Sequence, residues 1–397
     1  MNLFSPFSAK SHASGHGGLQ RVFGRLFAVL SGLLALALLG STQAQAQEPM
    51  VPPDLYPIIS PLFGGNSFAS AHPGDYDIAR DPNEVPANAL PNNAAVQFYA
   101  NEIDTIVAPG NQFVDPPAWS GATDRHMHYN VYSAQLPTGF VAAKVPGPFI
   151  RVREGNNYVV SLTNPSINQF PHSIDFHAVL GLKGGAAMLM SLPGQTTTLT
   201  ITPKHPGLFI YHCAEAGTPK GIAEHMNQGM FGLILVEPRD SDARWNRLIA
   251  SGVKEFYVME QDIFLDASGE YDEAKSLNTL VPDYTVYNGR VSALVDHPLI
   301  AQKGKHAVIY HGAATVHPPS FHTIGGMYTK VFQSGDIMSP PLQNRETVLI
   351  PPAGSAIMVH DGDDLIVNFD PPSALVPSQI NILVDHASPY FRKGALD

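Results

Sequence analysis

Apolar and polar residues alternate along this chain in short runs closed by Gly, Pro, Asn and Asp, and they do not recur at helical spacing. That pattern predicts β-strands over His126 to Tyr132, Asn157 to Thr163, Thr196 to Thr202, Leu208 to Cys213 and Met230 to Val236. A second set follows Glu255: Phe256 to Phe264, Tyr284 to Tyr287, Ala307 to Tyr310, Thr347 to Ile350, Ala356 to His360 and Leu365 to Phe369. Weak internal similarity links the two sets. Arg153-Glu-Gly-Asn-Asn-Tyr-Val-Val and the His-bearing strand after it parallel Lys303-Gly-Lys-His-Ala-Val-Ile-Tyr followed by Phe321-His322. The expected architecture is all-β, with two sandwich domains over residues 95–238 and 250–397 and a polar linker beginning at Pro238. Residues 47–94, dense in Pro, Asn and Gly, predict an extended arm.

Residues 1–46 stand apart. Lys10, Arg21 and Arg25 precede an apolar run from Leu26 to Gly40, and Ala44-Gln-Ala46 has the small-x-small form of a signal-peptidase site. The run is short for a membrane span, so a cleaved export signal is expected, with no span left afterwards and a periplasmic or outer-surface location. Cleavage would shift the formal charge from −11 to −14, since the segment holds three basic and no acidic residues. Such a protein is a poor partner for nucleic acid and a fair one for a small basic redox protein.

Composition changes the picture mainly through one residue. The 397 residues include 34 Gly, 35 Pro and a single cysteine, Cys213, which excludes an intrachain disulfide, a Cys-rich zinc site and a Cys-ligated iron–sulfur cluster. In an oxidising compartment a lone thiol is either buried and inert or held by something. Its neighbours favour the second. Pro171-His172-Ser-Ile-Asp175-Phe-His177, Tyr211-His212-Cys213, His225 and Met230 supply one thiolate, imidazoles and a thioether, the donor set of a mononuclear blue-type copper centre. Met226 competes with Met230, but the His-x4-Met spacing and the following Phe-Gly favour Met230. Successive side chains on a strand face opposite ways, so His212 and Cys213 cannot share a site. Cys213 and His172 can serve one metal, leaving His212 and His177 for another, joined to the first through the His212–Cys213 peptide. Two linked sites imply a catalyst fed one electron at a time.

The run from Val145-Pro-Gly-Pro through Arg153-Glu-Gly, His172-Ser-Ile-Asp-Phe-His177, Pro206-Gly-Leu-Phe-Ile-Tyr-His-Cys213 and His225-Met-Asn-Gln-Gly-Met-Phe-Gly resembles the copper-containing nitrite reductases, most of all the outer-membrane type of Neisseria. Similarity continues through Tyr287-Asn-Gly, Ser320-Phe-His322-Thr-Ile-Gly325, Pro352-Ala-Gly-Ser-Ala-Ile357, Leu383-Val-Asp-His386 and Lys393-Gly-Ala-Leu. The resemblance implies two cupredoxin-like Greek-key domains per subunit and a homotrimer. It implies type 1 copper held by His172, Cys213, His225 and Met230, and type 2 copper held by His177, His212 and the His386 of an adjacent subunit. A rival register would place Phe369 at that third position; Lys393-Gly-Ala-Leu after His386 favours His386. Asp175 and His322 match the family's proton-donating pair, and Ile324 the apolar residue that shapes its nitrite pocket. The electron would come from a separate small cupredoxin or cytochrome c, since the chain has no haem motif and no appended redox domain.

The other histidines carry less. His126-Met-His128 has the His-x-His form of multicopper oxidases, but Ala214 follows Cys213 where a trinuclear cluster needs another His. His72, His205, His297, His306, His311, His317 and His360 lack consistent ligand spacing and are expected to be solvated. A copper electron-transfer protein without type 2 chemistry is the main alternative, and a multicopper oxidase the next. The chain departs from the family pattern in a longer loop between Cys213 and His225, an expanded stretch between Ile357 and His386, and an early stop at Asp397.

Overall fold

The computed structural model describes Phe68, residues 72–110, 123–215 and 220–239, Trp245, and residues 253–301, 305–360, 368–369, 377–379 and 383–386. The expected signal segment, much of the arm and the stretch from Lys393 lie outside the described residues.

The first half contains β1 (Ala94–Ala108), β2 (Arg125–Leu136), β3 (Gly139–Val141), β4 (Ile150–Arg153), β5 (Tyr158–Asn164), β6 (Asp175–Phe176), β7 (Gln195–Ile201), β8 (Gly207–His212), helix α1 (Gly221–Asn227) and β9 (Phe231–Glu237). They form a sheet in the order β3-β2-β1-β5-β7 facing a sheet in the order β4-β9-β8-β6. The second half contains β10 (Lys254–Ile263), α2 (Glu273–Thr279), β11 (Tyr284–Tyr287), α3 (Ala293–Asp296), β12 (Ala307–Ala314), β13 (Ser320–Thr323), β14 (Tyr328–Gln333), β15 (Leu342–Arg345), β16 (Thr347–Leu349), β17 (Ser355–His360), β18 (Asn368–Phe369), β19 (Pro377–Gln379) and β20 (Leu383–Asp385). Here the order β11-β10-β12-β17-β14-β15 faces β16-β13-β20, and β18 pairs with β19. Two cupredoxin-like sandwiches result, each with a parallel contact between non-consecutive strands: β1 with β5 and β4 with β9 in the first, β10 with β12 in the second.

Strand parity explains the cores. β9, Phe-Gly-Leu-Ile-Leu-Val-Glu, is buried along its whole length. Ile234 and Val236 enter the first sandwich with Phe98, Leu162 and Tyr211. Phe231, Leu233 and Leu235 face the other way, into a cluster with Tyr257, Val308 and Ile357 of the second half. A strand covered on both faces needs a continuous apolar run rather than alternation. Each such fully buried Leu or Ile is worth about 1.5–3 kcal/mol. The arm does more than extend. Ile78 and Ala79 are fully buried, Ala79 bridges Val145, and Asp77 reaches Arg290 of the second half at 2.8 Å.

Candidate metal centres

β8 delivers two adjacent residues to different places. Tyr211 and Cys213 belong to the first sandwich core, while Leu208 and Ile210, of the same parity as His212, face the second half. The alternation predicted from Tyr211-His212-Cys213 therefore holds in space.

On the Cys213 side, His225 Nδ1 lies 3.0 Å from Sγ, and His172, Cys213 and His225 offer donor atoms within 4.8 Å of one another. All three residues are fully buried. His225 sits near the end of α1, after which Gly229, at φ +98°, turns the chain so that Met230 enters the same core. A Cβ at Gly229 would meet Val145 Cγ2 at 2.5 Å, so the turn needs glycine in both conformation and space. Cys213 N–H donates to the Met230 carbonyl at 2.9 Å, and Met230 N–H to that of His225 at 2.9 Å, fixing the loop.

The donor set suits copper on the structure's own terms. Burial pushes the Cys213 thiol up to about 11, so a thiolate there needs a cation beside it. Burial, then the neighbouring His172, brings His225 down to about 3, so that imidazole is neutral, the ligating form. His172 Nδ1 is buried with no hydrogen-bond partner. A thiolate, two imidazoles and a nearby thioether match type 1 copper.

Sequence reading missed how His172 is aimed. Glu102 of β1 takes its Nε2 at 3.3 Å, leaving Nδ1 for the interior, and also accepts from the N–H groups of Gln169 and Phe170. Burial raises the Glu102 pKa, but these hydrogen bonds outweigh it and leave the carboxyl below its ordinary value. An acidic residue interrupting an apolar strand was the available signal; its partner, 70 residues away, was not. Ser173 adds a second contact, its N–H donating to Cys213 Sγ at 3.3 Å.

On the opposite side, His177 Nε2 and His212 Nε2 stand 3.1 Å apart. His212 Nδ1 donates to the Cys213 carbonyl at 2.9 Å, so its Nε2 carries a lone pair toward His177 whenever the ring is neutral. Desolvation, then the neighbouring His212 ring, lowers the His177 pKa. Asp175 pairs with His212 across β6 and β8, and its carboxylate joins both imidazoles within 4.8 Å. Two imidazoles converging nitrogen to nitrogen suit a shared metal ion, and copper fits.

The second half holds the remaining residues. His322 and His386 lie on paired strands or at their ends, with ring centroids 4.7 Å apart. His322 Nδ1 donates to the Glu346 carbonyl at 2.6 Å, leaving Nε2 as its available nitrogen. Ile324 follows, 43% exposed. His386 is exposed and joins no cluster with His177 and His212 among the described residues of one chain. Phe369, in the rival register, pairs with β19 and not with β13. Three of the histidines expected to be solvated are not: His311, His317 and His360 are buried, because β12, β17 and the turn after β12 carry them into the second sandwich.

Fold and donor set together define a two-domain cupredoxin copper protein. A multicopper oxidase family model matches residues 126–241. The chain is 36% identical to a copper-containing nitrite reductase of Neisseria meningitidis serogroup A over 261 residues, covering 64% of this chain and 61% of the relative. It is 35% identical to the copper-containing nitrite reductase of Alcaligenes xylosoxydans xylosoxydans, covering 54% of this chain and 68% of the relative. A copper nitrite reductase structure from Nitrosomonas europaea superposes with a TM-score of 0.56 at 22% identity, over 76% of this chain and 91% of the other, a likeness of fold. The chain belongs to the copper-containing nitrite reductases. It spans about six tenths of the length of the Neisseria relatives that it matches.

Proposed function

We propose that this protein reduces nitrite to nitric oxide and water, taking one electron and two protons per nitrite. The observation that carries this reading is the pair of donor sets on opposite faces of β8, one peptide bond apart at His212–Cys213, with a carboxylate beside the outer set. When bound, copper supplies a one-electron relay at His172, Cys213, His225 and Met230, and an anion-attracting open position at His177, His212 and His386. The residues do the rest. Asp175 holds and passes a proton at its carboxyl oxygen, and His322 supplies the second through Nε2, with Nδ1 anchored on Glu346. Ile324 limits the space beside the substrate.

His177 and His212 lie in the first half, and His322 and His386 in the second, with no common cluster among the described residues of one chain. This supports a homotrimer in which adjacent subunits complete the outer site. Export after cleavage near Ala46 fits a periplasmic or outer-surface enzyme acting in denitrification or nitric oxide release. No helix among the described residues is long and apolar enough to cross a membrane. Exposed Met188, Met190 and Leu192 flank Ser191, which bridges His172, and favour docking of a small cupredoxin or cytochrome c donor there. The test is nitric oxide formation by the copper-loaded protein with a one-electron donor. Donor oxidation without nitric oxide would favour the electron-transfer alternative.

A further inference from the structure

The second sandwich contains ionisable side chains that neither copper donor set uses. Glu260 and Asp262 on β10 follow the parity of Phe256 and Val258, and His311 on β12 that of Ile309, so all three point into the sandwich interior. Glu260 and His311 are 0% exposed. His317, in the turn after β12, and Asp385 of β20 close the group.

Its geometry is incomplete as a hydrogen-bond network. His317 Nδ1 lies 2.7 Å from Asp262 Oδ2, while its Nε2 lies 2.7 Å from Asp385 Oδ2 and 3.7 Å from Glu260 Oε1. His311 Nε2 is 3.9 Å from Glu260 Oε2. Neither nitrogen of His311 has a hydrogen-bond partner, and the Glu260 carboxyl meets only that of Asp385 at close range. Glu260, His317 and Asp385 nevertheless offer donor atoms within 4.8 Å of one another.

In this buried group a single imidazole, His317, faces the carboxyl groups of Glu260, Asp262 and Asp385. The Glu260 and Asp385 carboxyls also face each other, close enough for both to reach one ion together with His317. We propose that Glu260, His317 and Asp385, with His311 as a further donor, bind a divalent transition cation of the zinc class. Imidazole and carboxylate without thiolate suit zinc and differ from the Cys213 set. Two donors at zinc-ligand distance from one tetrahedral ion stand about 3.4 Å apart, close to the His317–Glu260 separation. Asp262 holds His317 Nδ1–H, as a carboxylate behind a metal-bound imidazole does, so that Nε2 faces the ion. The ion also has a mechanical role. Asp385 Oδ1 accepts from Ser320 N–H at 2.8 Å, so a bound cation pins β20, and with it His386, against the strand that carries His322.

The test uses copper-loaded protein incubated with zinc, desalted and analysed for both metals. Wild type is expected to retain about one zinc per chain with its copper content unchanged. An anomalous difference peak at the zinc edge is expected between Glu260 and His317. Glu260→Gln and His311→Gln should each lose the zinc while keeping the type 1 absorption, which reports that the chain is folded and the first sandwich intact. The proposal is overturned if wild type retains no zinc, as a shared proton between Glu260 and Asp385 would produce, or if the folded variants retain as much as wild type. If Glu260→Gln does not fold, His311→Gln and the position of the anomalous peak decide.

Discussion

Cys213 illustrates how one side chain acquires its chemistry from its surroundings. A thiol held at about 11 by burial is a poor nucleophile and a poor ligand until a cation arrives, so the site's character rests on the ion and on the aim of two imidazoles. Replacing Cys213 by Ala should remove the visible absorption and about one copper per chain, measured by spectrophotometry and metal analysis. Glu102 aims His172. Glu102→Gln should weaken copper at the Cys213 centre by about 10–100-fold in a chelator competition, with copper at His177 and His212 unaffected. Asp175→Asn should leave the visible spectrum in place and lower nitrite turnover by about 100-fold or more, measured with a nitric oxide electrode. Full activity in that variant would remove Asp175 from the proton path. His172, Cys213 and His225, which the structure brings together, were legible in the sequence because metal donors come from a small chemical set. Glu102 and His317 were not, since each acts through a partner that only the fold brings near.

At the scale of elements, period-two patterning located most strands to within a few residues. Tyr284–Tyr287 matches its strand end to end, and Thr196 to Thr202 is offset by one residue from β7. The longest strand, β1, escaped that reading. Val96, Phe98 and Ala100 alternate inward, but Asn101 to Asp104 break the pattern where the strand reaches the Glu102 anchor. The short strands β4, β14 and β15 escaped it too, and the arm is a further departure, since Pro and Gly density predicted a spacer without showing that it would be packed. Asp77 ties it to Arg290 and His297. Burial raises the Asp77 carboxyl pKa, but hydrogen bonds from His297 and Arg290 win and hold it well below the ordinary carboxylate range. A carboxyl with a depressed folded pKa adds stability above its unfolded value, about 4, and loses it as acid protonates the folded form. Asp77→Asn should therefore cost about 1–3 kcal/mol at pH 7, with the deficit shrinking below about pH 4, in denaturant titrations across pH.

For the molecule as a whole, the two sandwiches share a core of Tyr129, Leu233, Tyr257, Val308 and Ile357. Arg151 links them further, its guanidinium bonding Glu237 at 2.8 Å and Glu255 at 2.9 Å. In the trimer proposed above, adjacent subunits would complete the outer site. Mixed trimers of His177→Ala and His386→Ala subunits should recover roughly a quarter of wild-type turnover, because a random ring forms some interfaces with both histidines intact. No recovery in mixed trimers confirmed by mass would place the site within a single subunit. The central claim, that two coppers sit back to back across the His212–Cys213 peptide and only the outer one meets nitrite, is tested most directly by electron paramagnetic resonance of the copper-loaded protein before and after nitrite. The account predicts type 1 and type 2 signals in about equal amounts, with nitrite shifting the type 2 signal alone. A type 1 signal standing alone, or a type 2 signal indifferent to nitrite, would contradict it.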